Sequence, residues 1–273
     1  MTHILLNPTW SCVNKCAYCW LNSTIRKRPE LLNAKTRPFD DWLSAVKREL
    51  VKIETTTGRT PLVIDIAGGE PFLLPWIVEF IAHFPEVPVG LSTNGLPDHV
   101  LQLVRRPKLP NLISINMSYH PGTTERYPDY EQFFRNRVLD ILGTGYPLHI
   151  SAVGYGEGAR LVRDLAGWAT DIGIDVYVSP YEDMAMLADK QEQGLVCKGG
   201  INHIVVAPDG TSWPCLSTLR SPFWRESILG NWLDDNIDIS KKEQPCHIYC
   251  VDYYFLKHHH RDGDMWGVEA REA

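Results

Sequence analysis

Short apolar runs rich in β-branched residues alternate with segments of helical periodicity over the first two thirds of the chain. These runs predict six strands, at residues 3–6, 62–66, 87–92, 112–117, 148–153 and 175–179. Helical periodicity predicts helices between them, at residues 41–53, 76–84, 98–105, 130–142 and 159–172. Repeated βα units of this kind form parallel sheets, so we expect an α/β fold, a partial (β/α)6 TIM-like barrel with ligands at the carboxyl ends of its strands.

The pattern changes after residue 180. The segment HIVVAPDGTSWPC, residues 203–215, predicts a strand, a Pro-Asp-Gly turn and a second strand. We therefore expect two domains, a barrel over residues 1–185 and a small C-terminal module over residues 186–273. A module of this size rarely holds together without a disulfide, a metal or another staple.

Composition narrows the possible functions. The chain has 273 residues, 44% of them hydrophobic, and a formal net charge of −6, which argues against nucleic-acid binding as its main role. Its start lacks a charged segment followed by a long apolar stretch, and no later segment has the length of a membrane span. We expect a cytoplasmic protein without a membrane partner, in which grouped cysteines bind metal more often than they form disulfides.

Three of the seven cysteines lie within eight positions, in the segment CVNKCAYC directly after the first predicted strand. The thiolates of Cys12, Cys16 and Cys19 can hold three irons of a 4Fe-4S cluster and leave the fourth iron open to another ligand. A structural zinc site is the alternative, but such a site normally has four protein ligands, and no fourth Cys or His is nearby in the sequence.

The CxxxCxxC spacing, with Tyr18 directly before the third cysteine, resembles the radical S-adenosylmethionine (radical SAM) family. The resemblance implies that Cys12, Cys16 and Cys19 bind the cluster and that its open iron binds the amino and carboxylate groups of SAM. It also implies that SAM is cleaved to a 5'-deoxyadenosyl radical, which abstracts a hydrogen atom from an unactivated carbon. Tyr18 is then expected near the cofactor.

Other motifs at predicted strand ends agree with this resemblance. The segment IAGGEPF resembles the GGE motif of the family, which implies that Gly68, Gly69 and Glu70 receive the methionine ammonium of SAM. By the same resemblance, polar residues on the later strands contact its ribose, carboxylate or adenine; the candidates are Asn94, Ser114, Asn116 and Gly154. Serine and asparagine at strand ends also simply cap turns, so both interpretations stay open.

The other four cysteines lie in the predicted C-terminal module: Cys197, Cys215, Cys246 and Cys250. The pattern C-x12-G-x4-C from Cys197 through Gly210 to Cys215 resembles the auxiliary-cluster domain of the SPASM and twitch branch of radical SAM proteins. Four cysteines fit the shorter twitch type with one auxiliary 4Fe-4S cluster, and a four-cysteine zinc site is the alternative.

Three reactions fit these features. The first is oxidation of a carbinol carbon in a small polar substrate of the sugar, aminocyclitol or aminoglycoside type. The second is epimerisation of such a carbon, with the thiol of Cys250 or Cys246 returning a hydrogen atom. The third is maturation of a ribosomal peptide, which we rank last because no segment that could grip a leader peptide precedes the first strand.

The reaction also needs acid–base groups and an electron source. Candidates for acid–base work lie at predicted strand ends, namely Tyr181, Glu182, Asp183 and His120, of which Tyr181 and Glu182 are the preferred pair. The expected electron donor is of the flavodoxin or ferredoxin type.

Overall fold

The computed structural model describes residues 2–16, 18–19, 21, 28–55, 61–125, 127–154, 158–180, 203–220 and 224–238. Its strands are β1 Thr2–Leu6, β2 Leu62–Ile66, β3 Val89–Thr93, β4 Leu112–Tyr119, β5 Leu148–Gly154, β6 Val176–Pro180, β7 His203–Val206, β8 Thr211–Trp213, β9 Gly230–Asn231 and β10 Asn236–Ile237. Its α-helices are α1 Pro29–Leu32, α2 Phe39–Thr55, α3 Ile77–His83, α4 Gln102–Arg105, α5 Tyr130–Leu142, α6 Gly158–Asp171 and α7 Leu216–Arg220. Short 3-10 helices lie at Pro71–Leu73, Asp98–Leu101 and Pro121–Glu125.

All the described strands form one sheet in the order β10-β9-β8-β7-β1-β2-β3-β4-β5-β6. Strands β1 to β6 are parallel and adjacent in chain order, with the helices between them as crossover connections. The α/β partial barrel predicted from the sequence is confirmed. Five helices were predicted between the strands, and the one at 98–105 is divided into a 3-10 turn, which follows Pro97, and α4.

The core lies between the strands and the helices. Alternate strand residues pack against the helices and are almost fully buried, as Ile4, Ile64, Ile115 and Ile150 show. Since successive strand side chains point to opposite faces, the intervening residues line the inner, concave face. That face carries many polar side chains, including serines and histidines on β1, β3, β4, β5 and β7.

The predicted C-terminal hairpin is present, and it extends the barrel sheet. Strand β7 pairs in parallel with β1, so that Ile4 lies opposite Ile204, and β8 pairs antiparallel with β7. A second apolar cluster packs around this hairpin and includes Leu21, Trp213 and Trp224. The boundary predicted between residues 185 and 186 lies outside the described residues, so the division into two domains stays a prediction.

No helix in the described part of the chain is both long and apolar enough to span a bilayer.

Candidate active site

The three clustered cysteines lie on the loop after β1, at the carboxyl edge of the parallel sheet, where the sequence predicts them. Each is partly exposed. Burial raises the pKa of Cys12 to about 11 and that of Cys16 to about 12, and repulsion from the charge of Cys19 adds to both. The three sulfur atoms therefore lie close enough to oppose one another's ionisation. A bound cation relieves that opposition, because metal binding displaces the thiol protons.

The cysteine loop rests on the Gly-Gly-Glu turn that follows β2. Backbone N–H groups of the turn donate to the loop, from Gly69 to the Thr9 carbonyl at 2.8 Å and from Glu70 to the Ser11 carbonyl at 2.8 Å. A Cβ atom at position 69 would lie 2.1 Å from the Ser11 oxygen, and one at Gly68, where φ is +105°, would lie 2.8 Å from the Thr9 oxygen. Only glycine permits this approach of the two backbones.

The sequence motif predicts that Gly68 and Gly69 let the backbone come close to a bound ligand. In the structure, the close approach that they allow is to the cysteine loop. Their contact with a cofactor stays a prediction.

Glu70 ties the ends of two strands together. Its side chain is fully buried and accepts three hydrogen bonds, from Phe72 N at 3.0 Å, Thr93 Oγ1 at 2.8 Å and Asn94 N at 2.7 Å. Burial raises the pKa of Glu70 to about 7, while the three hydrogen bonds favour the carboxylate. Both oxygens are therefore used within the protein, and in this geometry Glu70 fixes the loop after β3. The predicted contact between its carboxylate and an ammonium group stays a prediction.

Asn94 connects this carboxylate to the cysteine loop. Its side-chain amide donates from Nδ2 to Cys12 Sγ at 3.6 Å, and its Oδ1 accepts from Leu96 N at 2.9 Å. The second bond fixes the orientation of the amide, so that Nδ2 faces the sulfur. The structure thus brings Asn94, Glu70 and Cys12 together.

Ser114 and Asn116 lie on the concave face of β4, as expected from their alternation along the strand. Asn116 donates from Nδ2 to Ser92 Oγ at 3.3 Å, and its buried Oδ1 has no hydrogen-bond partner in the described part of the chain. Ser114 Oγ lies 3.5 Å from His149 Nδ1. An unpartnered buried amide oxygen is uncommon, and it makes Asn116 a site for a hydrogen-bond donor on a bound molecule.

Tyr18 and His120 meet at the edge of the cysteine loop. The Tyr18 hydroxyl lies 3.0 Å from His120 Nδ1, and the two rings are stacked with 6.0 Å between centroids. Burial lowers the pKa of His120 to about 4 and raises that of Tyr18, so both side chains are uncharged at neutral pH. His120 therefore positions Tyr18 in this structure.

The remaining predicted site residues divide into two groups. Gly154 ends β5 and lies opposite Pro180 of β6. Cys215 follows β8 and accepts a hydrogen bond at its sulfur from Thr218 N at 3.4 Å. The others lie outside the described residues: Tyr181, Glu182, Asp183, Cys197, Cys246 and Cys250.

The fold of this chain is similar to that of solved structures. Native anSMEcpe with bound AdoMet is 15% identical in sequence, with a TM-score of 0.61. The alignment covers 89% of this chain and 81% of the anSMEcpe chain. Native anSMEcpe with bound AdoMet and Cp18Cys peptide is also 15% identical in sequence, with a TM-score of 0.55. That alignment covers 87% of this chain and 79% of the anSMEcpe chain. The chain has the anSMEcpe fold. No protein-family model and no curated protein matches the sequence.

On this fold, the cysteine loop offers three thiols, Cys12, Cys16 and Cys19, as its donor groups. No group of three His, Cys, Asp or Glu residues among the described residues is arranged to hold a single metal ion. The three sulfur atoms instead lie along one loop, held by the turn at Gly69 and by the amide of Asn94. Thiolates of Cys12, Cys16 and Cys19 are the ligands that iron–sulfur clusters take.

Sequence reasoning missed three residues of the barrel interior. They are His3, Asp65 and His203, and His3 contacts both of the others on the concave face. The available signal was a polar residue at an alternating position within an otherwise apolar strand, in the segments HILL, LVIDI and HIVV.

Proposed function

We propose that this protein is a radical SAM enzyme. The observation that carries the proposal is the cysteine loop after β1, which rests on the Gly-Gly-Glu turn and whose first cysteine accepts a hydrogen bond from Asn94. Cys12, Cys16 and Cys19 would hold a 4Fe-4S cluster, and SAM would complete its coordination. When bound, this pair supplies a 5'-deoxyadenosyl radical that abstracts a hydrogen atom from carbon.

The chain's own residues prepare this site. Asn94 donates to the sulfur of Cys12, Glu70 holds Asn94 in place, and Asn116 would offer an acceptor to SAM or to the substrate. We further propose that Cys197, Cys215, Cys246 and Cys250 bind an auxiliary 4Fe-4S cluster of the twitch type, for which their number and spacing are the support. A flavodoxin or ferredoxin is the proposed electron donor.

The polar concave face favours a small polar substrate. Ser118 Oγ and Ser151 Oγ lie 3.2 Å apart there, near the level of Asn116, so hydroxyl and amide groups line the barrel interior. Sugars, aminocyclitols and aminoglycosides carry hydroxyl and amino groups that match such a surface. We propose oxidation of a carbinol carbon as the reaction. Epimerisation with Cys250 or Cys246 as hydrogen donor is the alternative when only three of the four C-terminal cysteines bind iron.

One comparison favours a different substrate. The structure of anSMEcpe with Cp18Cys peptide contains a bound peptide, which supports peptide maturation as a further candidate for this chain. Incubation with SAM and either polyols or cysteine-containing and serine-containing peptides distinguishes the two classes. The class that stimulates formation of 5'-deoxyadenosine is the substrate class.

The test of the family proposal is anaerobic reconstitution followed by iron and sulfide analysis. The protein is expected to carry two 4Fe-4S clusters, and changing Cys12, Cys16 and Cys19 together to Ala should leave about four irons and abolish SAM cleavage. Tightly bound zinc in the C-terminal site would contradict the auxiliary cluster. An unchanged rate of SAM cleavage in the triple variant would contradict the enzyme class itself.

Turnover in heavy water then separates oxidation from epimerisation. A carbonyl product without deuterium at the reacting carbon indicates oxidation, whereas deuterium at that carbon indicates epimerisation. Cys250→Ala adds a second criterion, because loss of a cluster ligand lowers iron content, whereas loss of a hydrogen donor leaves iron content unchanged and stops turnover.

A further inference from the structure

Three titratable side chains lie on the concave face of the sheet, where the middle one contacts the other two. His3 lies on β1, Asp65 on β2 and His203 on β7, each on the face opposite the helix-packed residues of its strand, such as Ile4 and Ile204. Strands β2 and β7 flank β1 on its two sides. The pairing of β1 with β7 therefore brings together two histidines that are 200 positions apart in the sequence.

The contacts among the three are short. His3 Nε2 lies 2.5 Å from Asp65 Oδ2, and His3 Nδ1 lies 2.5 Å from His203 Nδ1, with the two rings stacked at 4.7 Å between centroids. His3 is 1% exposed and His203 is 9% exposed, while the Asp65 side chain is 19% exposed. Opposite the carboxylate stands Gly90, where a Cβ atom would lie 1.9 Å from Asp65 Oδ1. The neighbouring strand thus leaves room for the carboxylate.

One atom at the end of this array has no partner. His203 Nε2 is buried and makes no hydrogen bond with any described residue. Buried polar side-chain atoms nearly always have a partner, so this nitrogen is suited to an exchangeable one. Among the described residues, the charged groups that act on His203 are His3 and Asp65. Strand β8 adds none, because it meets β7 through Ser212 and Trp213.

Counting protons shows what the array can do. Each short contact needs one proton between its two atoms, because two lone pairs repel each other at that distance. In one state, His3 Nε2–H donates to the carboxylate, His203 Nδ1–H donates to His3 Nδ1, and His203 Nε2 is an acceptor. A proton added at His203 Nε2 lets the Nδ1 proton move to His3, which becomes an imidazolium beside Asp65. No side chain has to move.

In the second state the added charge lies better on His3, which contacts the Asp65 carboxylate, than on His203. Burial lowers the pKa of His203 well below its usual value, and the neighbouring His3 lowers it further. His203 accordingly stays neutral in both states, and the added charge resides on His3 next to the carboxylate. Only the role of His203 Nε2 changes, from acceptor to donor.

We propose that Asp65, His3 and His203 form a proton relay that accepts, at His203 Nε2, the proton that a hydroxyl or ammonium group of the substrate must lose. The proposal rests on the proposed function, since it assigns the base for a small polar substrate. In the step, the substrate O–H or N–H bond breaks and its electron pair stays on the substrate atom. An N–H bond forms at His203 Nε2, and the proton on His203 Nδ1 moves to His3. The relay itself is neither oxidised nor reduced.

The first test uses the full-length, cluster-loaded protein with ¹⁵N-labelled histidine rings, followed by NMR from about pH 5 to about pH 9. The rings of His3 and His203 are expected to change together in a single transition. Asp65→Asn should move that transition to lower pH by about one unit or more, because the imidazolium loses its carboxylate. His203→Gln keeps an amide where Nε2 stands but cannot take up a proton, so it should abolish the joint transition.

His83→Gln is the matched control, because His83 is an exposed histidine on α3 and its loss should leave the transition unchanged. Two independent transitions, no transition in this range, or a transition insensitive to Asp65→Asn would overturn the relay. This outcome does not depend on the identity of the substrate or on SAM cleavage.

The second test is the pH profile of product formation with a panel of polyols and aminocyclitols. His203→Gln is expected to lower turnover by about 100-fold or more near neutral pH, the usual effect of removing a general base, while its iron content stays that of the wild type. An unchanged rate and profile would overturn the role of His203 as a base. If the wild type forms no 5'-deoxyadenosine at all, the proposed enzyme class fails, and the nitrogen spectra still decide whether the relay exists.

Discussion

The side-chain amide of Asn94 donates a hydrogen bond to the sulfur of Cys12, across 3.6 Å and between the ends of two different strands. A donor aimed at a cluster sulfur stabilises the extra negative charge of the reduced cluster, and such contacts are among the factors that set its reduction potential. In the proposed enzyme, Asn94 would therefore stand beside the first cluster.

Asn94→Asp tests this contact. The new carboxylate faces the sulfur with an acceptor and a negative charge, so the potential of the first cluster should fall while the auxiliary cluster keeps its own. An EPR-monitored redox titration measures both. Asn136→Asp on α5, whose side chain accepts a hydrogen bond from Gln132, is the matched control. Equal reduction potentials in Asn94→Asp and the wild type would show that the Asn94 amide does not influence the cluster.

Replacing Glu70 with Gln should destabilise the protein. The amide group of Gln would place an N–H against a donor at one of the two carboxylate positions, where Phe72 N, Thr93 Oγ1 and Asn94 N now donate. One buried donor left without a partner costs about 1–3 kcal/mol in the free energy of unfolding. Urea denaturation measures the loss, and SAM affinity is expected to weaken because Asn94 is released.

The control for that variant is Glu79→Gln on α3, where the side chain is exposed and little change is expected. A Glu70→Gln protein with wild-type stability and wild-type SAM affinity would show that the three hydrogen bonds do not organise the site.

Gly69→Ala should prevent the cysteine loop from seating. The added methyl group would lie 2.1 Å from the Ser11 carbonyl oxygen, so one of the two backbones must move. Overpacking of this kind costs about 1–3 kcal/mol, and here it acts on the loop that holds the three cysteines. Iron content after reconstitution should drop, with the first cluster lost in preference to the auxiliary one.

Gly167→Ala is the matched substitution, since a Cβ atom there meets nothing within 4 Å and Ala favours the helix by up to about 1 kcal/mol. Full iron loading in both glycine variants would mean that the loop tolerates displacement from the Gly-Gly-Glu turn.

The lowered pKa of His120 predicts that the folded protein loses stability in mild acid. Its pKa is about 4 in the folded protein, against 6.5 for an ordinary histidine, so between these values the unfolded chain binds more protons than the folded one. Stability linked to this group is present above pH 6.5 and falls as the pH drops, by about 2 kcal/mol at about pH 5. Urea unfolding at about pH 7 and at about pH 5 measures the difference in the free energy of unfolding.

His120→Asn retains an amide near the position of Nδ1, which faces the Tyr18 hydroxyl, and removes the titrating group. The acid-dependent loss should shrink in this variant and persist in His83→Asn, which changes an exposed histidine on α3. The same loss in all three proteins would assign the acid sensitivity to other groups.

Local sequence determined the strands and the position of the cysteine loop, but it did not determine the contacts between distant segments. The strands were visible because apolar β-branched residues stand between turn residues, and Cys12, Cys16 and Cys19 are close in the sequence itself. The predicted contact of Asn94 with the ribose or carboxylate of SAM stays a prediction, and the bond from Leu96 N that orients its amide is one that the motif does not reveal. The contact of Glu70 with an ammonium stays a prediction, whereas the three internal donors to its carboxylate could not be predicted from the motif.

The contacts around His3 were beyond prediction for a related reason. They depend on the parallel pairing of β1 with β7, and periodicity does not indicate which distant strand a segment joins. A buried polar residue in a short strand indicates a partner without identifying it.

The position of β1 between β2 and β7 has a consequence for the order of folding during synthesis. Residues 3–6 leave the ribosome well before residues 203–206, so one edge of their strand has no partner until the later strand has been made. Until then the nascent chain exposes unpaired backbone N–H and C=O groups next to the cysteine loop. An exposed strand edge is prone to associate with other chains. Closing so long a segment of chain also slows folding. If the loop takes up iron as proposed, insertion is best timed after the C-terminal hairpin has docked, and a chain that stops before it should aggregate.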